Sequence, residues 1–218
     1  MRYYPIHLDL RGREVLVTGG GAIAEGKIEQ LLSAGARVRV VSPTLTARLG
    51  ELVNQGVIDY RCGSFIENDL NGATLVISAT NDQAVNEKVA RAAAWRRVPH
   101  NIVDQPELCS FITPALVTRG ELQISISTSG SGPVVAQRVK REIAELIGPE
   151  YGELLEIAAA MRAEARALID DFEKRRDLLR AFAESAAIEL LRAGRRAEAE
   201  QLARELLSHA AQQQTLAA

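Results

Sequence analysis

The sequence has 218 residues, 47% of them hydrophobic, which is enough for one full domain and a smaller one, each with a buried core. Acidic and basic residues nearly balance, at 28 against 26, so the chain lacks the strong positive field that draws proteins to nucleic acid or anionic membranes. Cys62 and Cys109 have neither metal-binding nor disulfide spacing, and no apolar run approaches the roughly 18 residues of a membrane span. We therefore expect a cytoplasmic protein that binds neither nucleic acid nor membrane.

The first hundred residues alternate short β-branched runs with amphipathic helical patterns, which is typical of a parallel sheet covered by helices. The expected strands are Glu14–Thr18, Arg37–Val41, Val57–Arg61, Leu75–Ala79 and His100–Val103. Helices are expected after the first, second and fourth strands, the second of them with Thr44 as its N-cap. Right-handed crossovers then predict a doubly wound α/β sheet of the Rossmann type.

The pattern changes after Pro114. Two short strands, at 115–118 and 122–128, are separated by only three residues, which is too short for a crossover and predicts a β-hairpin. A helix is expected over 134–147, and the chain from Tyr151 onward reads as helical throughout. We therefore predict three parts: a Rossmann domain over residues 1–113, a small region of hairpin and helix over 114–148, and a helical C-terminal domain over 149–218.

A nucleotide site is predicted at the first turn, because the run from Gly19 to Ala24 fits G-x-G-x-x-A between a strand and a helix. Gly19 would permit the tight turn, Gly21 would let the backbone approach a pyrophosphate, and Ala24 would let the helix pack closely on the sheet. The free amide groups at the start of that helix would bind the phosphates. The predicted cofactor ligands are Gly19, Gly21, Ala22, Ile23, Ala24, Ser42, Pro43, Thr44 and Thr80.

The second strand lacks the acidic residue that often binds the ribose hydroxyls, because Val41 is followed by Ser42-Pro43-Thr44. Ser42 or Thr44 would have to bind the ribose instead. No arginine cluster stands beside them for a 2′-phosphate, which favours NAD as the cofactor, although Arg39 and Arg48 keep NADP open.

Several motifs together resemble one known family. They are Tyr4-Pro5-Ile6, the glycine turn with Lys27, Asn101-Ile102-Val103-Asp104, the run Cys109–Ala115, Ser127–Gly130 and Gly132-Pro133. This combination resembles the precorrin-2 dehydrogenase and sirohydrochlorin ferrochelatase family of siroheme synthases, closely over residues 3–150 and only in kind over the helical tail.

The resemblance implies NAD-dependent oxidation of the tetrapyrrole precorrin-2 to sirohydrochlorin, by a homodimer. It also implies that residues 1–113 form the NAD-binding domain and residues 114–148 the dimerisation region. It implies that Asp104 is the catalytic base and that Asn101 and Thr128 bind the substrate. Ferrous iron as a second substrate, inserted to give siroheme, stays open. So do the alternatives that Asp104 only caps the turn before Pro106, that Thr128 only caps its loop and that His100 also serves the site.

The substrate carries many carboxylates, and candidate cations for it are Arg119, Arg138, Lys140 and Arg141. The sequence departs from the family at Gly26, where an arginine is common, and this makes cofactor affinity less certain. Its length leaves no room for the methyltransferase domain of trifunctional siroheme synthases, so we expect no precorrin-2 synthesis. The rival from another class is a non-catalytic NAD-sensing dimer, which would need the glycine turn but not Asp104.

Overall fold

The computed structural model describes residues 2–215, with side chains for residues 2–212. The chain divides into two compact units by its contacts. The first comprises the chain up to Thr113 together with Ser129–Ser131, and the second comprises Pro114–Thr128 and the chain from Gly132 onward. The hairpin region and the helical tail thus lie in one unit, and the predicted three-part division stays a prediction.

The first unit is built on a five-stranded, all-parallel sheet with the strand order β3-β2-β1-β4-β5. Its strands are β1 Glu14–Thr18, β2 Arg37–Ser42, β3 Asp59–Cys62, β4 Leu75–Ser78 and β5 His100–Ile102, and its helices are α1 Ala22–Ser33, α2 Ala47–Asn54 and α3 Gln83–Trp95. The order reverses between β1 and β4, and open α/β sheets bind their ligands beyond the carboxyl ends of the strands at such a point. The doubly wound α/β fold predicted from the sequence is confirmed.

Both faces of this sheet are buried. Side chains of a strand alternate between faces, so Val15 and Val17 of β1 join one apolar cluster and Leu16 joins the other. Helices α1 and α2 supply Ile28 and Leu49 to the first cluster, and α3 supplies Val89 to the second. Burial on both faces explains why the central strands β1 and β4 are nearly continuous apolar runs rather than alternating ones.

The start of α2 differs from the sequence-based expectation. Thr46 is the N-cap, and its Oγ1 accepts a hydrogen bond from Leu49 N at 3.2 Å, so the assignment of this cap to Thr44 was wrong. The reason is a contact with the glycine turn. Thr46 N donates to Gly20 O at 2.9 Å, which keeps the chain extended for two residues longer than the local pattern suggests.

The second unit begins with an antiparallel hairpin, β6 Ala115–Arg119 and β7 Leu122–Ile126. Its helices are α4 Pro133–Leu146, α5 Glu150–Leu168, α6 Phe172–Ala183, α7 Ala187–Arg192 and α8 Arg196–Thr215. The last four enclose an apolar core that includes Met161, Phe182 and Leu191. No helix within residues 2–215 combines the length and apolar character needed to cross a membrane.

The hairpin turn is fastened to the helices of its own unit. The Arg119 guanidinium donates to the main-chain oxygens of Ala144 and Ile147, both at 2.8 Å, at the carboxyl end of α4. At Gly152 in α5, a Cβ would lie 3.0 Å from the main chain of Arg119, so a glycine allows α5 to approach the turn. Arg119 therefore has a structural role here.

Candidate functional site

The turn between β1 and α1 needs glycine at its first position. Gly19 has a φ of +108°, and a Cβ there would lie 2.2 Å from the carbonyl oxygen of Ala79, after β4. Gly19 N also donates to Val41 O of β2 at 2.9 Å. The turn therefore packs directly against the two strands that flank β1, at the point where the strand order reverses.

Gly20 is required for a reason that the motif does not express. A Cβ at this position would lie 2.1 Å from Thr44 O and 2.9 Å from Ser42 Oγ. The G-x-G-x-x-A motif leaves this position variable, because the need for glycine comes from a contact with the β2–α2 loop rather than from the turn itself. The same contact brings the predicted ribose-binding residues Ser42 and Thr44 against the glycine turn.

Gly21 is the N-cap of α1 and faces open space. Its φ is −88°, and nothing lies within 4 Å of an added Cβ. Having no side chain, it leaves the first amide groups of the helix available to an anion. Ala22 and Ile23 are exposed in the first turn, whereas Ala24 is fully buried against the sheet, as its place in the motif predicts.

The other predicted ribose-side residues follow β2. Ser42 is its last residue and is buried, and the Tyr60 hydroxyl donates to Ser42 O at 2.9 Å. Pro43 is exposed, and its main-chain oxygen lies 3.6 Å from Cys62 Sγ. The two arginines that could bind the 2′-phosphate of NADP both have other partners. Arg39 binds Glu14 at the start of β1 and two main-chain oxygens, and Arg48 pairs with Glu51 at 3.2 Å.

A buried chain of polar side chains joins β1, β4 and α3 behind Thr80. Ser78 Oγ donates to Asn86 Oδ1 at 2.7 Å, Thr18 Oγ1 lies 2.7 Å from Ser78 Oγ, and Asn86 Nδ2 donates to Thr80 O at 3.1 Å. Thr80 Oγ1 also accepts from Asp82 N at 3.2 Å. Sequence reasoning missed Thr18, Ser78 and Asn86, which fix the β4–α3 turn next to the glycine turn.

Asp104 lies just beyond the carboxyl end of β5, in a tight turn. It is exposed and has a φ of +62°, a conformation that non-glycine residues rarely adopt. The Cys109 sulfur stabilises this turn, because it accepts from Ile102 N at 3.1 Å and lies 3.2 Å from the main-chain oxygens of Ile102 and Gln105. Burial raises the pKa of the Cys109 thiol, so it stays protonated.

Asn101 is buried in β5, where its amide has a structural task. Nδ2 donates to Phe111 O at 3.0 Å and approaches Cys109 Sγ at 3.6 Å. His100, at the amino end of the same strand, is buried, with Nδ1 3.0 Å from Val98 O. Thr128 belongs to the second unit, where its Oγ1 accepts from Gly132 N at 3.3 Å. Substrate binding by Asn101 and Thr128 stays a prediction.

Lys27 was noted in the sequence only as part of a motif, yet it lies close enough to Asp104 to interact with its charge. Its Nζ donates to Thr113 Oγ1 at 3.1 Å. Burial lowers the pKa of Lys27, and the negative charge of Asp104 acts in the opposite direction. Asp104, Lys27 and Thr113 thus come together from three separate segments of the first unit. Among the residues with described side chains, no group of three or more His, Cys, Asp or Glu is placed to hold a metal ion.

Three family models match successive parts of the chain. The model described as putative NAD(P)-binding covers residues 6–115, half of the chain. The sirohaem biosynthesis protein central model covers residues 119–146, and the sirohaem synthase dimerisation region covers 150–207. The region named for dimerisation is therefore the helical tail, whereas the sequence analysis assigned dimerisation to residues 114–148.

The siroheme synthase of Stutzerimonas stutzeri is 39% identical over 208 residues, which are 95% of this chain and 45% of that protein. The siroheme synthase of Methylococcus capsulatus is 38% identical over 98% of this chain and 45% of its own length. This chain thus spans about half the length of these curated relatives. The structure of SirC, a precorrin-2 dehydrogenase, superposes with a TM-score of 0.79 at 28% identity and covers 93% of this chain and 100% of SirC.

The fold and the glycine turn define an NAD(P)-binding protein with a Rossmann domain. More narrowly, the chain belongs to the precorrin-2 dehydrogenase and sirohydrochlorin ferrochelatase family of siroheme synthases, since the NAD(P)-binding region is followed by the sirohaem central and dimerisation regions in order. The family resemblance predicted from the sequence is confirmed.

Proposed function

We propose that this chain oxidises precorrin-2 to sirohydrochlorin with NAD as the acceptor. The observation that carries the proposal is the placement of Asp104. It follows β5, two strands from β1 and its glycine turn, at the same carboxyl edge of the sheet where a bound dinucleotide would lie. The similarity to SirC over its whole length supports the same activity.

The oxidation removes two hydrogens from the tetrapyrrole, one as a hydride and one as a proton. NAD supplies the hydride acceptor when bound. The amide groups at the start of α1 would bind its pyrophosphate, with Ser42 and Thr44 on the ribose side. Asp104 would take the proton, since its carboxylate is exposed and its turn is held by Cys109.

NAD is favoured over NADP because the nearby arginines are engaged elsewhere. Arg39 reaches Glu14 and Asn71 O at the opposite, amino-terminal edge of the sheet, and Arg48 is paired with Glu51. Arg39 is therefore held away from the ribose side, and Arg48 would have to leave Glu51 to bind a 2′-phosphate. We also propose a cytoplasmic homodimer, with the unpaired thiols Cys62 and Cys109 suited to a reducing compartment.

Ferrous iron insertion is the second activity proposed for this site. Insertion of iron releases two pyrrole protons, and the exposed carboxylate of Asp104 would accept them one at a time and release each to solvent. Sirohydrochlorin would then be the product of one reaction and the substrate of the next.

An anaerobic assay tests these proposals. The protein is incubated with precorrin-2 and NAD, with and without ferrous iron, and sirohydrochlorin and siroheme are followed by absorbance. We expect NAD-dependent sirohydrochlorin formation, and siroheme when iron is added. NAD binding without sirohydrochlorin formation would instead favour the non-catalytic NAD-sensing dimer, and siroheme formation no faster than without protein would remove the iron insertion activity.

A further inference from the structure

Lys27 occupies an unusual position for a lysine. It lies in the second turn of α1, between the buried Ala24 and Ile28, so only part of its side chain reaches solvent. Its Nζ binds the hydroxyl of Thr113 at 3.1 Å, and among the side chains that the structure describes it forms no salt bridge. An ammonium group has three donors, and Thr113 uses one of them.

An anion would strengthen this arrangement. The Lys27 side chain is half-buried and has lost part of its hydration, whereas its hydrogen bond to Thr113 is exposed, so the ammonium stays accessible to a ligand. Asp104 is the charged group that bears on Lys27 within the first unit, and it is not within ion-pair distance. Lys27 therefore combines partial desolvation, unused donors and proximity to the predicted base.

Two of the four cations suggested by the sequence are engaged elsewhere, and the other two, Lys140 and Arg141, lie on α4 in the second unit, whereas Asp104 lies in the first. Arg119 is held by main-chain oxygens at the end of α4, and Arg138 pairs with Glu142 at 2.8 Å. Lys27 differs from both because its ammonium has neither a carboxylate, as Arg138 has, nor several main-chain oxygens, as Arg119 has. The tetrapyrrole of the proposed reaction carries acidic side chains around its ring, so it offers the missing anion.

We propose that Lys27 is a substrate-binding residue whose ammonium holds a carboxylate of the tetrapyrrole beside Asp104. This inference rests on the proposed function and deepens it. The carboxylate would receive charge-assisted hydrogen bonds from Lys27. This contact would hold the tetrapyrrole ring in one position relative to Asp104, so that the proton to be removed faces the Asp104 carboxylate.

The test measures binding as well as turnover. Purified wild type, Lys27→Met, Lys27→Arg and Thr113→Val are titrated anaerobically with sirohydrochlorin by absorbance and with NAD by calorimetry. Thr113→Val is the matched control, because it breaks the same hydrogen bond and keeps the cation. Circular dichroism establishes that each variant is folded. If Lys27→Met does not fold, Lys27→Gln, which keeps a polar side chain, is measured in its place.

We expect Lys27→Met to weaken sirohydrochlorin binding by roughly tenfold to a hundredfold, the range for a charge-assisted hydrogen bond, with the affinity for NAD unchanged. Lys27→Arg should restore most of the affinity, and Thr113→Val should change it about twofold at most. Equal losses in Lys27→Met and Thr113→Val would overturn the proposal in favour of a structural link. A loss confined to NAD would overturn it in favour of a phosphate contact.

The outcomes also separate this inference from the proposed function. If wild type and Lys27→Met bind sirohydrochlorin equally well and wild type oxidises precorrin-2, only the role of Lys27 fails. If wild type binds no sirohydrochlorin and does not oxidise precorrin-2, both proposals fail together.

Discussion

The Asn101 amide nitrogen donates to the carbonyl oxygen of Phe111 at 3.0 Å, and this bond joins β5 to the segment that leads to Thr113. Two motifs that the sequence shows separately, Asn-x-x-Asp and Cys-Ser-Phe-Ile, are thus one structural element. Asn101 joins the strand to the segment that follows the turn, and the Cys109 sulfur bonds to Ile102 and Gln105, which precede and follow Asp104.

Asn101→Asp should destabilise the first unit, because a carboxylate cannot donate to Phe111 O and would be buried against it. The expected loss is roughly 1–3 kcal/mol in the free energy of unfolding, measured by urea denaturation at pH 7. Asn68→Asp introduces the same charge at an exposed position and serves as the control. If both variants have the same stability as wild type, the Asn101 amide does not contribute as described.

Gly21→Asp should abolish NAD binding in a folded protein. The position has room for a side chain and an ordinary φ, but a carboxylate there would repel the pyrophosphate at the start of α1. Calorimetry with NAD measures the loss. Gly20→Ala tests the opposite case, a glycine with no room for a side chain. The added Cβ would collide with Thr44 O, and the free energy of unfolding should fall by about 1–3 kcal/mol. Unchanged NAD affinity in folded Gly21→Asp would refute the assignment.

Asp104→Asn should lower kcat for precorrin-2 oxidation by about 10²–10⁴, with NAD affinity nearly intact, because the amide keeps the size of the side chain but cannot accept the proton. Iron insertion should fall as well. Asp82→Asn, at the N-cap of α3, is a control for carboxylate loss outside the turn after β5. An Asp104→Asn protein with a nearly wild-type rate would leave Asp104 as a turn residue only.

The protein should lose stability in alkaline solution through Cys109. Burial raises the pKa of this thiol in the folded state, so folding favours the protonated form. The stabilisation from burying the protonated Cys109 thiol is complete below the ordinary thiol pKa of about 8.5. It is lost as the pH rises from there through the raised pKa of the folded state. Urea midpoints at pH 7 and pH 10 should therefore differ more for wild type than for Cys109→Ser. Cys62→Ser, at an exposed thiol, should behave like wild type, and an equal drop in all three proteins would exclude Cys109 as the cause.

The protein should be a homodimer at micromolar concentration, which light scattering measures. The hairpin β6–β7 has unpaired outer edges within its own sheet, and Leu116 on it is 39% exposed, so part of the interface is predicted there. Leu116→Lys should weaken the dimer, whereas Trp95→Lys, at an exposed residue of the first unit, should not. A monomeric wild type would contradict the prediction, and an unaffected Leu116→Lys dimer would assign the interface to the helical tail alone.

The sequence by itself determined the features that depend on local patterns. Alternating strand and helix periods predicted the Rossmann domain, since these periods reflect the burial of strands on both faces and of helices on one. The glycine turn could be located because Gly19 must adopt a positive φ and Ala24 must be small, both of which are properties of single residues.

Tertiary structure decided what depends on contacts between distant segments. Thr46 rather than Thr44 caps α2 because its amide binds Gly20, and Gly20 itself is confined by the β2–α2 loop. Lys27 meets Thr113 although the two are 86 residues apart in sequence, so no local pattern identifies the pair. The stabilisation from such contacts depends on pairs of residues that only folding brings together. For that reason the sequence predicts the sheet and its turn, whereas the position of Lys27 near Asp104 depends on the contact of α1 with the segment that follows β5.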